Sequence, residues 1–353
     1  MKQVLAAFQF EGKVTDLREC TAGHINGTYR VTTDKARYIL QKINKNVFQK
    51  PWEVMENVVG VTNHIRKKLE EEGKDPLCGT LSFVKAGDAY YFCDERGDYW
   101  RAYRFVDGDC FQSCDSPDLF LRVGRAFGVF QRQLADYDAA SLHEVIPDFH
   151  NTEKRYEALE NAVLDDVCGR ASACRREIDF LRARKDDCSL LVRGLKEGKY
   201  PLRVTHNDTK LNNVIMDPKT GEGLCVIDLD TVMPGSLLYD FGDAIRYGAS
   251  SAGEGESDLS KVCILPEFFA AFTKGFSDGL GGGITDAERA ALPQSARILT
   301  LETGMRFLTD YLSGDTYFRI HHEGHNLERA KNQLRLVESI EEQMPVLEEI
   351  VRG

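Results

Sequence analysis

The sequence predicts an α+β protein of two lobes, a small β-rich one over residues 1–106 and a larger helical one over residues 107–353. Three observations lead there. The chain of 353 residues is longer than a single core usually supports. Its first hundred residues read as short β-rich pieces around one helical pattern, and after Asp107-Gly108 long patterns of 3.6-residue period take over.

In the first lobe, turn signals at Gly23, Gly27 and Asp34 punctuate strand candidates over 28–33 and 37–43. Residues 52–72 carry apolar positions at helical spacing, Val54, Val58, Val61 and Ile65, until Gly73 and Pro76 stop the helix. Strand candidates return over 81–84, 89–93 and 99–106. In the second lobe, helices are predicted over 118–135, 152–165 and 171–184. Short strands over 214–216 and 224–227, joined by the turn Asp217-Pro218-Lys219-Thr220-Gly221, interrupt them. Helices then resume. The glycine-rich stretch 280–285 reads as an exposed loop, and 326–351 as one acidic amphipathic helix bracing the end of the chain.

Hydrophobic residues at 42% and charged residues at 29% are ordinary for a folded globule. The net charge of −11 works against binding nucleic acid or an anionic membrane, both of which ask for a basic surface. A small-molecule partner is the expectation. The ten cysteines are scattered and lack C-x-x-C spacing, so reduced thiols are expected. With no secretory signal pattern and no run near the ~20 apolar residues that span a bilayer, the reading places the protein in the cytoplasm, with a monomer as the default.

The most informative stretch is His206-Asn207-Asp208-Thr209-Lys210-Leu211-Asn212-Asn213, followed by Val226-Ile227-Asp228-Leu229-Asp230. It spells H-x-D-x-x-x-x-N, then a hydrophobic strand ending in Asp. Phosphoryl transfer needs a carboxylate beside the acceptor hydroxyl, oxygen ligands for Mg2+, and a frame that holds donor and acceptor in line. Asp208 would take or orient the hydroxyl proton, and Asn213 and Asp228 would hold Mg2+ through the hard oxygens it prefers. Lys210 could reach phosphate oxygens. His206 reads as a scaffold rather than a base. Asp230 reads as structural, with metal binding as the alternative. Tyr239-Asp240-Phe241-Gly242-Asp243 repeats the letters Asp-Phe-Gly too late in the chain to carry the metal, so Asp240 is expected to anchor the loop.

These residues resemble the aminoglycoside phosphotransferase and choline kinase superfamily, and within it the N-acetylhexosamine 1-kinase subfamily. The resemblance runs from Gly23-His24-Ile25-Asn26-Gly27-Thr28-Tyr29 through the two motifs above to Gly304-Met305-Arg306-Phe307-Leu308, Gly314-Asp315-Thr316-Tyr317-Phe318 and His325-Asn326-Leu327. It implies a bilobal protein-kinase-like fold and ATP-dependent phosphorylation of the anomeric hydroxyl of N-acetylglucosamine or N-acetylgalactosamine. Asp208 would then be the base at that hydroxyl, with Arg306, Tyr317 and His24 meeting the sugar and Tyr247 walling the pocket. Asn26, Gly27 or Thr28 would meet phosphates, and the purine would sit near Tyr103, Phe105 and Val106. Strand alternation turns either Gln41 or Lys42 toward the nucleotide, but not both; Lys42 is a candidate contact and Glu56 a candidate partner for it. Other acceptors (an aminoglycoside, choline, a pentose derivative or a hexose) and a non-catalytic regulator are the competing readings.

Overall fold

The computed structural model describes residues 1–20 and 26–353. A short helix α1 (Lys2–Ala7) leads into an antiparallel sheet of β1 (Val14–Cys20), β2 (Gly27–Thr33), β3 (Arg37–Lys42), β4 (Phe92–Cys93) and β5 (Tyr99–Arg104), in the order β1-β2-β3-β5-β4. Between β3 and β4 run α2 (Pro51–Glu71) and the single turn α3 (Pro76–Gly79). Proline in the first turn starts α2 where its missing N–H is harmless, and the apolar stripe Val54, Val58, Val61 and Ile65 is buried as the spacing foretold.

The rest of the chain is mostly helical: α4 (Pro117–Gln133), α5 (Thr152–Asp165), α6 (Arg175–Arg182), α7 (Leu190–Lys196), α8 (Leu237–Gly248), α9 (Pro266–Leu280), α10 (Asp286–Leu312), α11 (His325–Glu342) and α12 (Met344–Arg352). Two small antiparallel pairs are set among the helices. One joins β6 (Arg203–Thr205) to β9 (Met233–Gly235), and the other is the hairpin β7 (Val214–Met216) and β8 (Gly223–Val226). This is the kinase-like α+β fold, a β-sheet lobe followed by a larger helical part.

Several boundaries differ from the sequence reading. Residues 81–84 give only the isolated bridge Phe83 to Tyr103, and β4 is two residues long, because the chain turns at Gly87, φ 64°, before a longer ladder can form. Residues 171–174 are a 3₁₀ turn ahead of α6. The terminal helix is two helices that part at Gln343, since Pro345 in the first turn of α12 has no N–H to give the carbonyl four residues back. All ten cysteines are free. Among the described residues no helix is long and apolar enough to cross a membrane.

Two cores set the position of the site. One runs from α2 through Val106 to Ile215, Cys225 and Leu229, so the hairpin β7–β8 shares a core with α2. The other gathers α4, α8, α9 and α10 around Phe241, Phe269, Phe272 and Phe276. Helices α4 and α9 touch backbone to backbone through glycine. A Cβ on Gly275 would lie 1.9 Å from the Leu121 carbonyl oxygen, and one on Gly128 would lie 2.2 Å from that of Phe276.

Gly275→Ala must therefore push the two helices apart. It should lower the unfolding free energy by about 1–3 kcal/mol in a denaturant titration, whereas Gly253→Ala, with nothing within 4 Å, should change it little.

Candidate active site

The loop 206–213 is built around one carboxylate. Asp240, in the first turn of α8 and 1% exposed, accepts from the backbone N–H of His206 at 3.0 Å, that of Asn207 at 2.8 Å, and the Gln131 side chain at 2.7 Å. Thr209 donates its hydroxyl to the Asp240 carbonyl at 2.6 Å, and its N–H to Asp243 at 2.8 Å. Burial works against the Asp243 charge, but Arg246 and Lys210 overcome it and hold that carboxyl below its ordinary value. The chain passes Asn207 at φ 66°, a left-handed conformation that asparagine tolerates, and the Asn207 amide donates to the Thr231 carbonyl at 2.8 Å.

His206 lies edge-on to the rings of Phe127 and Phe130. Its Nε2 sits 2.9 Å from the Ile227 carbonyl, and its Nδ1 is 3.3 Å from the Asp208 N–H. A carbonyl only accepts and a backbone N–H only donates, so these partners assign the proton to Nε2. Both nitrogens are engaged in holding the loop. The scaffold role of His206 and the anchoring role of Asp240 are thus visible in the contacts.

Asp208, Asn213 and Asp228 line one cavity of about 380 Å³ between the sheet and the hairpin. Asp208 Oδ1 meets Lys210 Nζ at 2.7 Å, and Oδ2 accepts from Asn213 Nδ2 at 3.1 Å. That same amide nitrogen donates to the Asp208 carbonyl at 2.8 Å, which leaves Asn213 Oδ1 for another partner. Burial would lower the Lys210 ammonium, but Asp208 and Asp243 hold it above the usual lysine range. Asp228 follows β8 at φ 59°, open to the cavity while protein crowds its other sides. That burial, then the charges of Asp230 and Asp208, push its carboxyl up to about 6.

Among the described residues no group of three or more His, Cys, Asp or Glu forms a metal cage. Asp228 and Asn213 nevertheless fit Mg2+, which keeps several waters and phosphate oxygens and takes only one or two protein ligands. The two offer hard oxygens on one cavity wall, and the Asn213 amide is already turned so that its oxygen is the spare atom.

On the opposite wall, Thr28, Gln41 and Arg101 are register partners across β2, β3 and β5 and share the cleft face. Lys42 is a correction. It points to the other face of the sheet, where it is ion-paired with Asp98, so it is not brought to the cleft. Glu56 is no partner for it either, since that carboxylate sits 2.6 Å from His143 Nε2. Asn26 lines the cavity and ties across it, donating to Asp230 Oδ2 at 2.7 Å, while Gly27 opens β2 beside it. Tyr103, Phe105 and Val106 line the inner end together with Val58, Ile215 and Leu229.

On the far side of the loop, the Arg306 guanidinium lies over the rings of Phe149, Tyr317 and Phe318 at 5.3, 5.9 and 5.4 Å. Tyr317 and Phe318 are held by Asp310, whose carboxylate accepts from the backbone N–H of Thr316, Tyr317 and Phe318 at 2.9, 2.8 and 2.9 Å. Tyr247 does not line the cavity itself but donates to the carbonyl of Gln112, which does, at 3.4 Å. His24 lies outside the described residues. Sequence reasoning missed His150, which bridges Glu302 (2.8 Å) and the Asn207 carbonyl (3.3 Å), and it missed Arg155, half-buried near Arg306. Burial, then the charge of Arg306, lowers Arg155 below the usual arginine value. No local pattern marks His150, because both its partners are far away in the chain, and none marks Arg155, whose guanidinium is held by the Phe149 carbonyl at 2.8 Å, a backbone partner that leaves no residue-type signal.

A model of the phosphotransferase enzyme family matches residues 16–281. An aminoglycoside phosphotransferase from Alicyclobacillus acidocaldarius has the same fold, with a TM-score of 0.65 at 13% identity over 100% of this chain and 96% of that one. Spectinomycin phosphotransferase, solved in complex with ADP and spectinomycin, matches at TM-score 0.56 and 14% identity over 99% and 96% of the two chains. Choline kinase from Cryptosporidium parvum matches at TM-score 0.56 and 12% identity over 96% and 91%. At such identities the likeness is one of fold.

The crowding of Asp228 is testable without any ligand. A carboxyl raised to about 6 destabilises the folded protein when charged, so this contribution is absent below the ordinary aspartate pKa of about 4, grows as pH rises to about 6 and is fully present above it. Asp228→Asn keeps a residue that accepts the left-handed backbone and removes the charge. Because the group opens on the cavity and water screens it, the melting temperature at pH 8 should rise by only about 1–3 °C, with a smaller gain at pH 5. Equal gains at both pH values would refute the crowding.

Proposed function

We propose, for a chain that belongs to the phosphotransferase enzyme family, that it transfers the γ-phosphoryl group of ATP to a hydroxyl of a small molecule. The observation that carries this is Asp208 facing one cavity with Asn213 and Asp228 behind a loop fixed on both sides. Asp208 would receive the acceptor hydroxyl as a hydrogen-bond donor and take its proton as the phosphorus–oxygen bond forms. Lys210, held between Asp208 and Asp243, supplies positive charge beside the transferring group. Asp228 and Asn213 Oδ1 are the residues that would hold Mg2+, which when bound neutralises charge on the phosphate oxygens. The purine is assigned to the apolar inner end, where the backbone at 103–106 can meet the base edge.

For the acceptor, we assign the anomeric hydroxyl of N-acetylglucosamine or N-acetylgalactosamine, giving the sugar 1-phosphate and ADP. The residue-level resemblance around Arg306 and Tyr317 supports this. So does the chemistry of that side, where a guanidinium and a group of aromatic faces suit the hydroxyls and apolar face of a pyranose. His150 and Glu302 tie this side to the carbonyl of the residue before Asp208, so the acceptor pocket and the base are braced together.

Incubation with ATP, Mg2+ and either amino sugar should release an acid-labile sugar phosphate in step with ADP. Release of ADP at the same rate without sugar, or faster turnover of choline or spectinomycin in the same panel, would overturn the acceptor assignment. Asp208→Asn should lower kcat at least about a hundredfold while circular dichroism shows an intact fold. Arg306→Met should raise the sugar KM more than it lowers kcat.

A further inference from the structure

Protein kinases place a lysine on the third strand against the nucleotide phosphates. Here the polar residue on β3 that lines the cleft is Gln41, beside Ile39, and Lys42 is held by Asp98 on the opposite face. Directly across the register from Gln41, on β5, stands Arg101. We infer that Arg101 is the phosphate-binding cation of this site, moved one strand along the same row of the sheet, with Asp230 as its counter-charge before nucleotide arrives. This rests on the nucleotide-binding role proposed above and goes beyond it.

Four observations carry the inference. Arg101 and Lys210 are the two cationic side chains among the described residues lining the cavity, and Lys210 stands on the acceptor side with Asp208. The Arg101 side chain is 3% exposed, yet its donors are only partly used. Nε and Nη2 both point at Gln41 Oε1, at 3.0 and 2.8 Å, which fixes the plane of the guanidinium. Nη1 is ion-paired with Asp230 Oδ1, but neither atom has an aligned hydrogen bond, an unusual state for two buried charged groups. A guanidinium so oriented still has Nη1 and the second Nη2 proton to offer a phosphate that takes the place of Asp230, and such an anion would supply the hydrogen bonds that Asp230 does not.

A purely structural clamp between sheet and hairpin would place the same atoms together, so the test separates the two. Dissociation constants for ADP and AMP are measured by calorimetry in EDTA, where no divalent ion contributes. In Arg101→Met, ADP affinity should fall about tenfold and AMP affinity less than about threefold, and Arg101→Met/Asp230→Asn should show the same loss. Equal losses for ADP and AMP, or recovery of ADP affinity in the double variant, would make Arg101 a clamp and overturn the inference. If Arg101→Met does not fold by circular dichroism, Arg101→Lys serves. It keeps the charge without the fork, and it should weaken ADP about threefold and leave AMP unchanged; an equal effect on both overturns the inference. Failure of the unaltered protein to bind ADP at all would sink the nucleotide reading itself, whereas the variant pattern bears on Arg101 alone.

Discussion

The buried carboxylate of Asp240 is the constraint on which the rest of the site depends. Its two oxygens take up backbone donors of consecutive residues, His206 and Asn207, and an amide from α4. Removing such a partner would strand buried polar groups, a loss of about 1–3 kcal/mol for each. Because Asp240 sits in the first turn of α8, the position of the loop is inherited from the Phe241 cluster below it. Asp208 is therefore placed by packing about as much as by its own contacts.

Asp310 repeats the device on the other side of the cleft. Its carboxylate gathers three consecutive backbone N–H groups and so presents Tyr317 and Phe318 beside Arg306. Asn326 donates to the same carboxylate at 2.9 Å and to Asp315 at 2.9 Å, which ties α11 into the arrangement. One buried aspartate thus orders the loop 206–213 and another orders the proposed acceptor loop. Between them, His150 and Glu302 couple α10 to the backbone next to Asp208.

What the sequence made legible was what is local. The H-x-D-x-x-x-x-N spacing brings Asp208 and Asn213 together within one loop that ends in a 3₁₀ turn, and the hairpin that follows needs only Asp217 to Gly221 to close. Asp240 could be set apart from the metal position by its place in the chain. Parity on β3 was legible only as a choice, because alternation says that Gln41 and Lys42 point oppositely but not which faces the cleft. The register with β5 decides it, and register joins residues sixty positions apart. Separation along the chain likewise hid the pairing of Arg101 with Asp230 and of His150 with Glu302. In each case the informative partner is on another element, and no periodicity records it. The break at Gln343 was within reach, since Pro345 stood in view inside an otherwise regular pattern.

The electrostatics of the cleft follow from this division of labour. Asp208, Asp228 and Asp230 share one polar wall, and the nearby cations, Lys210 and Arg101, come from different elements. Lys210 is four residues before the hairpin and moves with the loop, while Arg101 is fixed to the sheet by Gln41. The sheet and the turn after β8 are accordingly joined across the cavity by the ion pair of Arg101 with Asp230, with the Asn26 hydrogen bond to Asp230 beside it. An anion entering between the walls competes for both cations at once and releases the carboxylates facing it. Freed of their cations, Asp208 and Asp230 would add negative charge beside Asp228 and Asn213, the residues proposed to hold Mg2+, so nucleotide and metal would enter such a site more favourably together than either does alone.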